Sequence, residues 1–197
     1  LACALEMEAF ANRYAAQLNH QVSDTAALRA QFTADGSADR RTAAEMFDTS
    51  AYLHGQSDPV ALMVLTHQTV VHNRITALHE AARAAAMSAL STGAAADTVT
   101  PALRVAVEQL LRVMLFIDEA RWSGPVAGAT TFAADFAKRG PFDAQGRTLR
   151  ALDLERRLFR YPLSFLVYSE AFGALPPVAK GLVFARLGAV LAGTDPD

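Results

Sequence analysis

The stretch SDPVALMVLTHQTVVHNRITALHEAARAAAMSAL, residues 57–90, decides the fold of this chain. It opens with Ser57-Asp58-Pro59, where capping side chains precede a proline. This is a strong helix start, because proline has no backbone N–H to leave unsatisfied in the first turn. Apolar residues then recur at helical spacing, and alanine, the best helix former, is abundant. The stretch therefore predicts one unusually long amphipathic helix from Pro59 to about Leu90.

A second helix follows the same pattern. Thr100-Pro101 repeats the start signal, and the apolar positions after it predict a helix that runs to about Ala120. Two long helices joined by the ten residues 91–100 should form an antiparallel hairpin. In the expected register, position 72 faces about 119 and position 79 faces about 112. We predict an all-α fold, a helical bundle around this long antiparallel helix hairpin.

The regions on either side of the hairpin are also predicted to be helical. Helices are expected over about residues 2–20 and 23–32. The small polar residues of 33–42 are typical of a loop and mark the best internal boundary. We therefore divide the chain into an N-terminal helical segment, residues 1–46, and a helical domain, residues 47–197.

Beyond the hairpin, breaks separate shorter predicted elements. After the turn-rich residues 123–128, Thr130 or Thr131 is expected to cap a short helix that ends at Gly140. The chain should become irregular and then helical near Leu149, until the Tyr161-Pro162 step breaks that helix. An apolar element follows, and then Pro176-Pro177 opens a final helix that ends at Gly193.

Composition argues against several classes of function. The net charge of -2 and the pI near 6.2 argue against a nucleic-acid partner, because phosphate binding needs a clustered basic face. The single cysteine, Cys3, excludes an internal disulfide and covalent c-type haem attachment within this chain. Apolar runs fall far short of the roughly 20 residues that span a bilayer. We expect a soluble chain without a transmembrane segment, with any export signal upstream.

Three of the five histidines, His67, His72 and His79, lie on the long predicted helix. Histidine is the commonest metal ligand, so the cluster suggests a metal or haem site. At roughly 100° per residue, His72 and His79 point within about 20° of each other but lie roughly 10 Å apart along the axis, while His67 is rotated roughly 140° from His72. A straight helix does not bring all three to one ion, and the spacing of an HExxH zinc site is absent.

A site would therefore need residues of the second helix. The expected register places His72 near Asp118 and Glu119, and His67 near residues 122–124. His67, His72, Asp118 and Glu119 are thus candidate ligands of a metal ion or of non-covalently bound haem. Two alternatives remain open for these residues. A buried histidine paired with a carboxylate is a common structural device, since a buried polar group needs a partner, and the same groups serve acid–base catalysis.

An aromatic patch lies near the end of the chain. It predicts either part of the core or a docking surface, because no basic groove accompanies it to bind nucleic-acid bases. The chain also has no GxSxG elbow and no glycine-rich phosphate loop. The members of the patch are Phe159, Tyr161, Phe165, Tyr168 and Phe172.

Four long collinear strings resemble one protein family. They are similar to the C-terminal helical region of large, mostly uncharacterised bacterial exported proteins whose upstream half carries a cytochrome c-like segment. The resemblance covers about residues 47–193. The strings are FDTSAYL (47–53), SDPVALMVLTHQTVVHNRIT (57–76), GPVAGATTFAADFAKRGPFDAQGRTLRALDLERRLFRYPLSFLVYSEAF (124–172) and LPPVAK (175–180).

The family's most distinctive strings are HQTxxHN and RLFRYP. By position they imply structural or docking roles for Gln68, Asn73, Arg160 and Tyr161, beside the candidate ligands His67 and His72. This chain has Thr66 where the family usually has glutamate, and Leu163 where it usually has cysteine. The upstream haem-binding segment has no counterpart in residues 1–46.

The resemblance implies a periplasmic or secreted location, with a c-type cytochrome or another redox protein as the electron-transfer partner. The leading expectation is an exported helical accessory or docking domain associated with a haem or redox protein, without catalysis of its own. The alternative is a redox enzyme that depends on a metal or haem and uses the helix-borne histidines and the facing carboxylates. The implied cofactor is haem or a transition metal, bound non-covalently.

Overall fold

A computed structural model describes residues 48, 50, 51, 57–95, 98–117, 119, 122 and 124–194. The helices predicted over 2–20 and 23–32, and the loop predicted over 33–42, lie outside these residues. The described part contains helices and no named strand; one isolated bridge joins Leu152 and Phe159. The prediction of an all-α fold is therefore confirmed for this part. Its elements are α1 (Pro59–Thr92), α2 (Pro101–Met114), α3 (Phe132–Ala137), a 3₁₀ turn (Phe165–Tyr168), α4 (Glu170–Gly173) and α5 (Pro177–Leu191).

Helix α1 begins at Pro59, as predicted, and ends at Thr92, two residues after the predicted end at about Leu90. The Oδ1 atom of Asp58 accepts hydrogen bonds from the backbone N–H groups of Val60 and Ala61 at 2.9 and 3.1 Å, which satisfies two donors of the first turn. At the other end, Gly93 adopts a left-handed conformation with φ of 69°. Glycine adopts this conformation without the steric cost of a Cβ atom, so the helix stops there.

Helix α2 ends at Met114, six residues before the predicted end at Ala120. Phe116 has a positive φ of 57°, and the N–H of Ile117 donates to the carbonyl of Arg112 at 3.0 Å. These features terminate a helix, although glycine usually occupies the left-handed position. The ring of Phe116 packs against His67, and this tertiary contact accompanies a backbone conformation that phenylalanine seldom adopts.

Contacts between α1 and the α2 region differ from those of the expected register. Arg74 Nη1 donates to Gln109 Oε1 at 3.1 Å, whereas the expected register places position 74 opposite 117. His67 lies beside Phe116 instead of residues 122–124. Both contacts move the facing residue several positions earlier in the chain.

Residues 138–164, the irregular segment, contain no helix, so the helix predicted near Leu149 is wrong. Tertiary hydrogen bonds hold the backbone here: Val126 N–H donates to the Leu154 carbonyl at 2.8 Å, and Ser164 N–H donates to the Met114 carbonyl at 2.8 Å. Leu154, like Phe116, has a positive φ, of 62°. Local helical preference therefore gives way to packing against the long helices.

The loop before α3 is attached to the start of α1. Thr130 donates to Asp58 Oδ2 through its backbone N–H at 2.9 Å and its hydroxyl at 2.6 Å. Burial alone would raise the pKa of Asp58, but these bonds and those of the helix cap together hold it below its usual value. Of the two predicted caps, the Thr130 hydroxyl accepts from Phe132 N–H, whereas Thr131 forms no side-chain cap bond to the backbone of α3.

The core collects apolar side chains from α1, α2, α5 and the region between them. Asp58, Thr148 and Ser164 are its only buried polar residues in the described part. Within the same residues, no helix combines the length and the apolar character that crossing a membrane requires. The largest fully buried side chains are Phe159, Phe165, Leu78, Leu103, Leu110 and Met114.

Candidate functional site

His67 lies where α1 meets the end of α2 and the irregular segment. Its Nε2 atom shares a hydrogen bond of 2.7 Å with Ser164 Oγ. The rings of Phe116, Phe159 and Phe165 surround it at centroid distances of 4.9, 5.2 and 6.3 Å. We call these five residues the histidine cluster. In it, three phenylalanine rings surround the imidazole of His67 and its hydrogen-bond partner Ser164.

Burial governs the protonation of this cluster. It lowers the pKa of His67 to about 4, so the imidazole is neutral at neutral pH. Ser164 is fully buried, and its Oγ also accepts from Leu166 N–H at 3.3 Å. A serine and a histidine at this distance have the geometry of an activated nucleophile. With no exposed surface, however, Ser164 offers no access to a substrate in this conformation.

The other candidate ligands have different surroundings. His72 is exposed on α1, as is His79, whose Nδ1 lies 4.0 Å from Glu80 Oε1. Glu119 is partly buried and accepts a hydrogen bond from Leu158 N–H at 3.3 Å; burial raises its pKa. Asp118 lies outside the described residues. Among those described, no group of three or more His, Cys, Asp or Glu side chains is arranged to hold a metal ion.

The four residues with predicted structural or docking roles also lie in different surroundings. Gln68 is partly buried and Asn73 is exposed on α1. Arg160 is exposed, while its backbone is held on both sides: its N–H donates to the Ala151 carbonyl at 2.9 Å, and its carbonyl accepts from Arg157 Nη2 at 2.8 Å. Of the four, Tyr161 lines a concave surface.

That surface is an open pocket of about 360 Å³, here called the aromatic pocket. Phe142 and Tyr168 form part of its wall with 55% and 58% of their surface exposed, while Tyr161 is half-buried. Exposure of two large aromatic residues beside a pocket is typical of a binding surface. The lining consists of Pro141, Phe142, Asp143, Arg147, Thr148, Leu149, Tyr161 and Tyr168.

A tight loop builds one side of the aromatic pocket. Asp143 Oδ1 accepts from the backbone N–H groups of Gln145 and Arg147 at 2.9 and 2.8 Å, and its Oδ2 accepts from Arg147 Nε at 2.6 Å. The backbone hydrogen bond from Arg147 is the main cause that lowers the pKa of Asp143. Gly140 precedes the loop with φ of 58°, and a Cβ there would lie 2.9 Å from the Phe142 ring. The loop is therefore ordered before any ligand binds.

Arg150 connects the histidine cluster to the aromatic pocket. Its guanidinium carbon lies 4.4 Å from the ring centroid of Phe165 and 5.0 Å from that of Phe136. Its Nε donates to the Gly140 carbonyl at 2.8 Å, directly before the pocket loop. The cation thus joins a core ring to the base of the loop.

Sequence reasoning missed Ser164 and Phe142, and it treated the aromatic patch as one unit. The structure divides that patch by residue type. Its three phenylalanines are buried, whereas Tyr161 and Tyr168 line the aromatic pocket. The tyrosine hydroxyls could have indicated this division from the sequence. A tyrosine prefers a position where its ring contacts apolar groups and its hydroxyl reaches water.

Comparisons with protein families, with characterised proteins and with solved structures find no match to this chain.

Proposed function

We propose that this chain is a non-catalytic helical binding module, an exported accessory or docking domain associated with a haem or redox protein. The aromatic pocket is its contact surface. One observation carries the proposal: Phe142 and Tyr168 expose more than half of their surface at the aromatic pocket. Phe142 lies next to a loop that the bonds between Asp143 and Arg147 hold, and Tyr168 ends the 3₁₀ turn. Exposed aromatic side chains on an ordered frame lose little conformational entropy when a partner binds.

The surroundings of His67 support a structural role for this residue. Its Nε2 is engaged by Ser164 and its ring is walled by phenylalanines, so it contributes to the packing of the core. In this proposal the molecule is a helical bundle built around the hairpin of α1 and α2. The bundle serves as the frame that carries the pocket loop.

The partner in this proposal is a c-type cytochrome or another redox protein of the bacterial periplasm. Its support is the resemblance of residues 47–193 to a region that follows a cytochrome c-like segment. The alternative is a redox enzyme that binds a metal or haem through His67, His72, Asp118 and Glu119. The two hypotheses predict different spectra.

The first experiment is an optical spectrum with elemental analysis of the protein purified from its native source. A non-catalytic module shows no Soret band and no stoichiometric metal. A Soret band that is lost in a His67→Gln variant, with the fold retained by circular dichroism, would establish the alternative.

The second experiment measures binding of a c-type cytochrome to the ¹⁵N-labelled chain by NMR titration. We expect Tyr168→Ala to weaken binding about tenfold, because aromatic residues are frequent hot spots. Phe184→Ala is the matched control, since Phe184 is also an aromatic residue with half its surface exposed, and it does not line the pocket. Equal weakening by both variants, or no binding of the cytochrome by the unaltered chain, would overturn the proposal.

A further inference from the structure

Arg147 is the cationic group of the aromatic pocket. Its Nε is engaged with Asp143 Oδ2, which restricts the position of the guanidinium. Within the described part of the chain, its two Nη nitrogens donate no hydrogen bond. A guanidinium presents its donors in a planar fork that matches the two oxygens of a carboxylate. Donors at the pocket therefore remain available to a ligand.

The two tyrosines add further polar groups to the pocket. Neither the Tyr161 hydroxyl nor the Tyr168 hydroxyl forms a hydrogen bond with another described residue. Each hydroxyl can donate to an acceptor, and each ring offers an apolar face. Pro141, Phe142 and Leu149 add apolar surface to the same lining. The pocket thus combines apolar walls with an excess of donors.

The surrounding loop is basic in a chain that is acidic overall. Residues 138–150 contain four basic residues and one acidic residue, a local net charge of +3, whereas the whole chain carries -2. Within the described residues, neither Arg139 nor Arg150 forms a salt bridge, although the charge of Arg139 acts on the Asp135 carboxylate. Burial is the main cause that lowers the pKa of Arg150, and the charge of Arg139 adds to it.

Asp143 is the one acidic residue in the lining, and its charge is already compensated. It accepts two backbone N–H bonds and the bond from Arg147 Nε. These bonds occupy its oxygens within the loop, so its main effect is to orient Arg147. Repulsion between Asp143 and an incoming anion is reduced accordingly.

We propose that the aromatic pocket binds an apolar or aromatic group that ends in a carboxylate. The rings of Phe142, Tyr161 and Tyr168 contact the apolar part, and the Nη atoms of Arg147 bind the carboxylate. A volume of about 360 Å³ is near the lower limit for ligand pockets and suits one group of side-chain size. The carboxylate belongs either to a free acid or to the last residue of a polypeptide. This inference rests on the proposed function of the pocket and specifies its ligand.

The test uses the full chain and three small probes: 3-phenylpropionate, which has both the ring and the carboxylate; 3-phenylpropanol, which lacks the charge; and acetate, which lacks the ring. Shifts in ¹H–¹⁵N NMR spectra report binding. We expect 3-phenylpropionate to bind in the millimolar range and to shift residues 141–149, 161 and 168. 3-Phenylpropanol should bind at least tenfold more weakly, because a charge-assisted hydrogen bond contributes about that factor. Acetate should also bind at least tenfold more weakly, because it has no apolar group to bury against the rings.

Variants of exposed arginines test the assignment of Arg147. Arg147→Met should remove the preference for 3-phenylpropionate over 3-phenylpropanol, while Arg147→Lys should retain part of it. Arg156→Met is the matched control, because Arg156 is exposed in the same irregular segment and does not line the pocket. If Arg156→Met reduces the preference as much as Arg147→Met does, the assignment is overturned.

Two further probes separate the sources of the carboxylate. N-acetylphenylalanine resembles the C-terminal residue of a polypeptide. N-acetylphenylalanine amide has the same shape without the negative charge. Tighter binding of N-acetylphenylalanine than of 3-phenylpropionate supports a polypeptide end, and the reverse order supports a free acid. If N-acetylphenylalanine and its amide bind with equal affinity, the carboxylate charge does not contribute to binding and the proposal is wrong.

The failure of this inference and that of the proposed function are distinguishable. If 3-phenylpropanol binds as well as 3-phenylpropionate, the carboxylate preference is wrong, but the pocket still binds ligands. If Tyr168→Ala leaves cytochrome binding unchanged, the docking function of the pocket is wrong, whatever the small probes do.

Discussion

The histidine cluster and the aromatic pocket both include residues of the short stretch 159–168, yet their chemistry differs. In the cluster, Phe159 and Phe165 close around His67 and leave its nitrogen bonded to a buried serine. In the pocket, Tyr161 and Tyr168 form walls beside an exposed arginine. Aromatic side chains thus serve to exclude water in one region and to present a surface in the other.

The difference shows how burial changes the use of a polar group. A polar atom in the core needs an internal partner, so His67 and Ser164 satisfy each other and add stability. A polar atom beside an open pocket can use water instead, and it keeps its hydrogen-bonding capacity for a ligand. We therefore expect substitutions in the cluster to change folding, and substitutions in the pocket to change binding.

The largest effect should come from Phe159→Ala. Phe159 is 1% exposed and contacts His67, Phe116 and Phe165, so its removal leaves a cavity in the core. We expect the free energy of unfolding to fall by about 3–5 kcal/mol, measured by urea denaturation. A loss below about 1 kcal/mol would show that the cluster is not a packed core.

The next effect is the pH dependence due to His67. Its pKa falls from 6.5 in the unfolded chain to about 4 in the folded protein, so protonation favours unfolding. Its contribution to stability is complete above pH 6.5 and is lost as pH falls toward 4. Between pH 7 and pH 4.5 we expect a loss of roughly 2–3 kcal/mol. The measurement is urea denaturation of the unaltered protein and of His67→Gln at both pH values. The variant should lose less unfolding free energy between pH 7 and pH 4.5, and the difference should equal the loss due to His67. Equal losses in the two proteins would contradict the burial of the ring.

An intermediate effect is expected for Arg150→Lys, which tests the link between the two regions. Lysine keeps the charge but loses the planar group that lies over Phe165 and Phe136 and the Nε that bonds to Gly140. Stability should fall by about 1 kcal/mol, and the pocket resonances should shift in NMR spectra. Arg156→Lys, in an exposed position, serves as the control and should change neither. If Arg150→Lys leaves the pocket resonances as unchanged as Arg156→Lys does, Arg150 does not couple the histidine cluster to the aromatic pocket.

The smallest effect on folding should come from Tyr168→Ala. Tyr168 is 58% exposed, and we expect the free energy of unfolding to change by about 0.5 kcal/mol or less. Binding of 3-phenylpropionate should nevertheless weaken severalfold. If this variant destabilises the protein as much as Phe159→Ala does, the two regions do not differ in the way described here.

Local signals in the sequence predicted the long helices because the required interactions lie close together in the chain. The Asp58 cap and the proline after it act within one helical turn. The end of α2 was not predictable in this way, since Phe116 takes a left-handed conformation that its residue type disfavours. The register expected between α1 and α2 was also wrong, since Arg74 bonds to Gln109 and does not face position 117.

The candidate site shows the same division. The sequence singled out His67 and Tyr161, but the partner of His67 is Ser164, ninety-seven residues away, and no local pattern announces that pair. The Arg147–Asp143 pair is local, four residues apart, but its importance depends on the tyrosines that lie across the pocket.

By itself, the sequence determined the helical class of the described part, the three proline-led helix starts and the presence of an aromatic patch. These follow from backbone preferences and hydrophobic spacing, which operate over a few residues. Only the tertiary structure decided which rings are buried, that His67 is neutral and that Arg147 stands at an open pocket. Burial and charge compensation depend on residues far apart in the chain, so they are properties of the folded molecule.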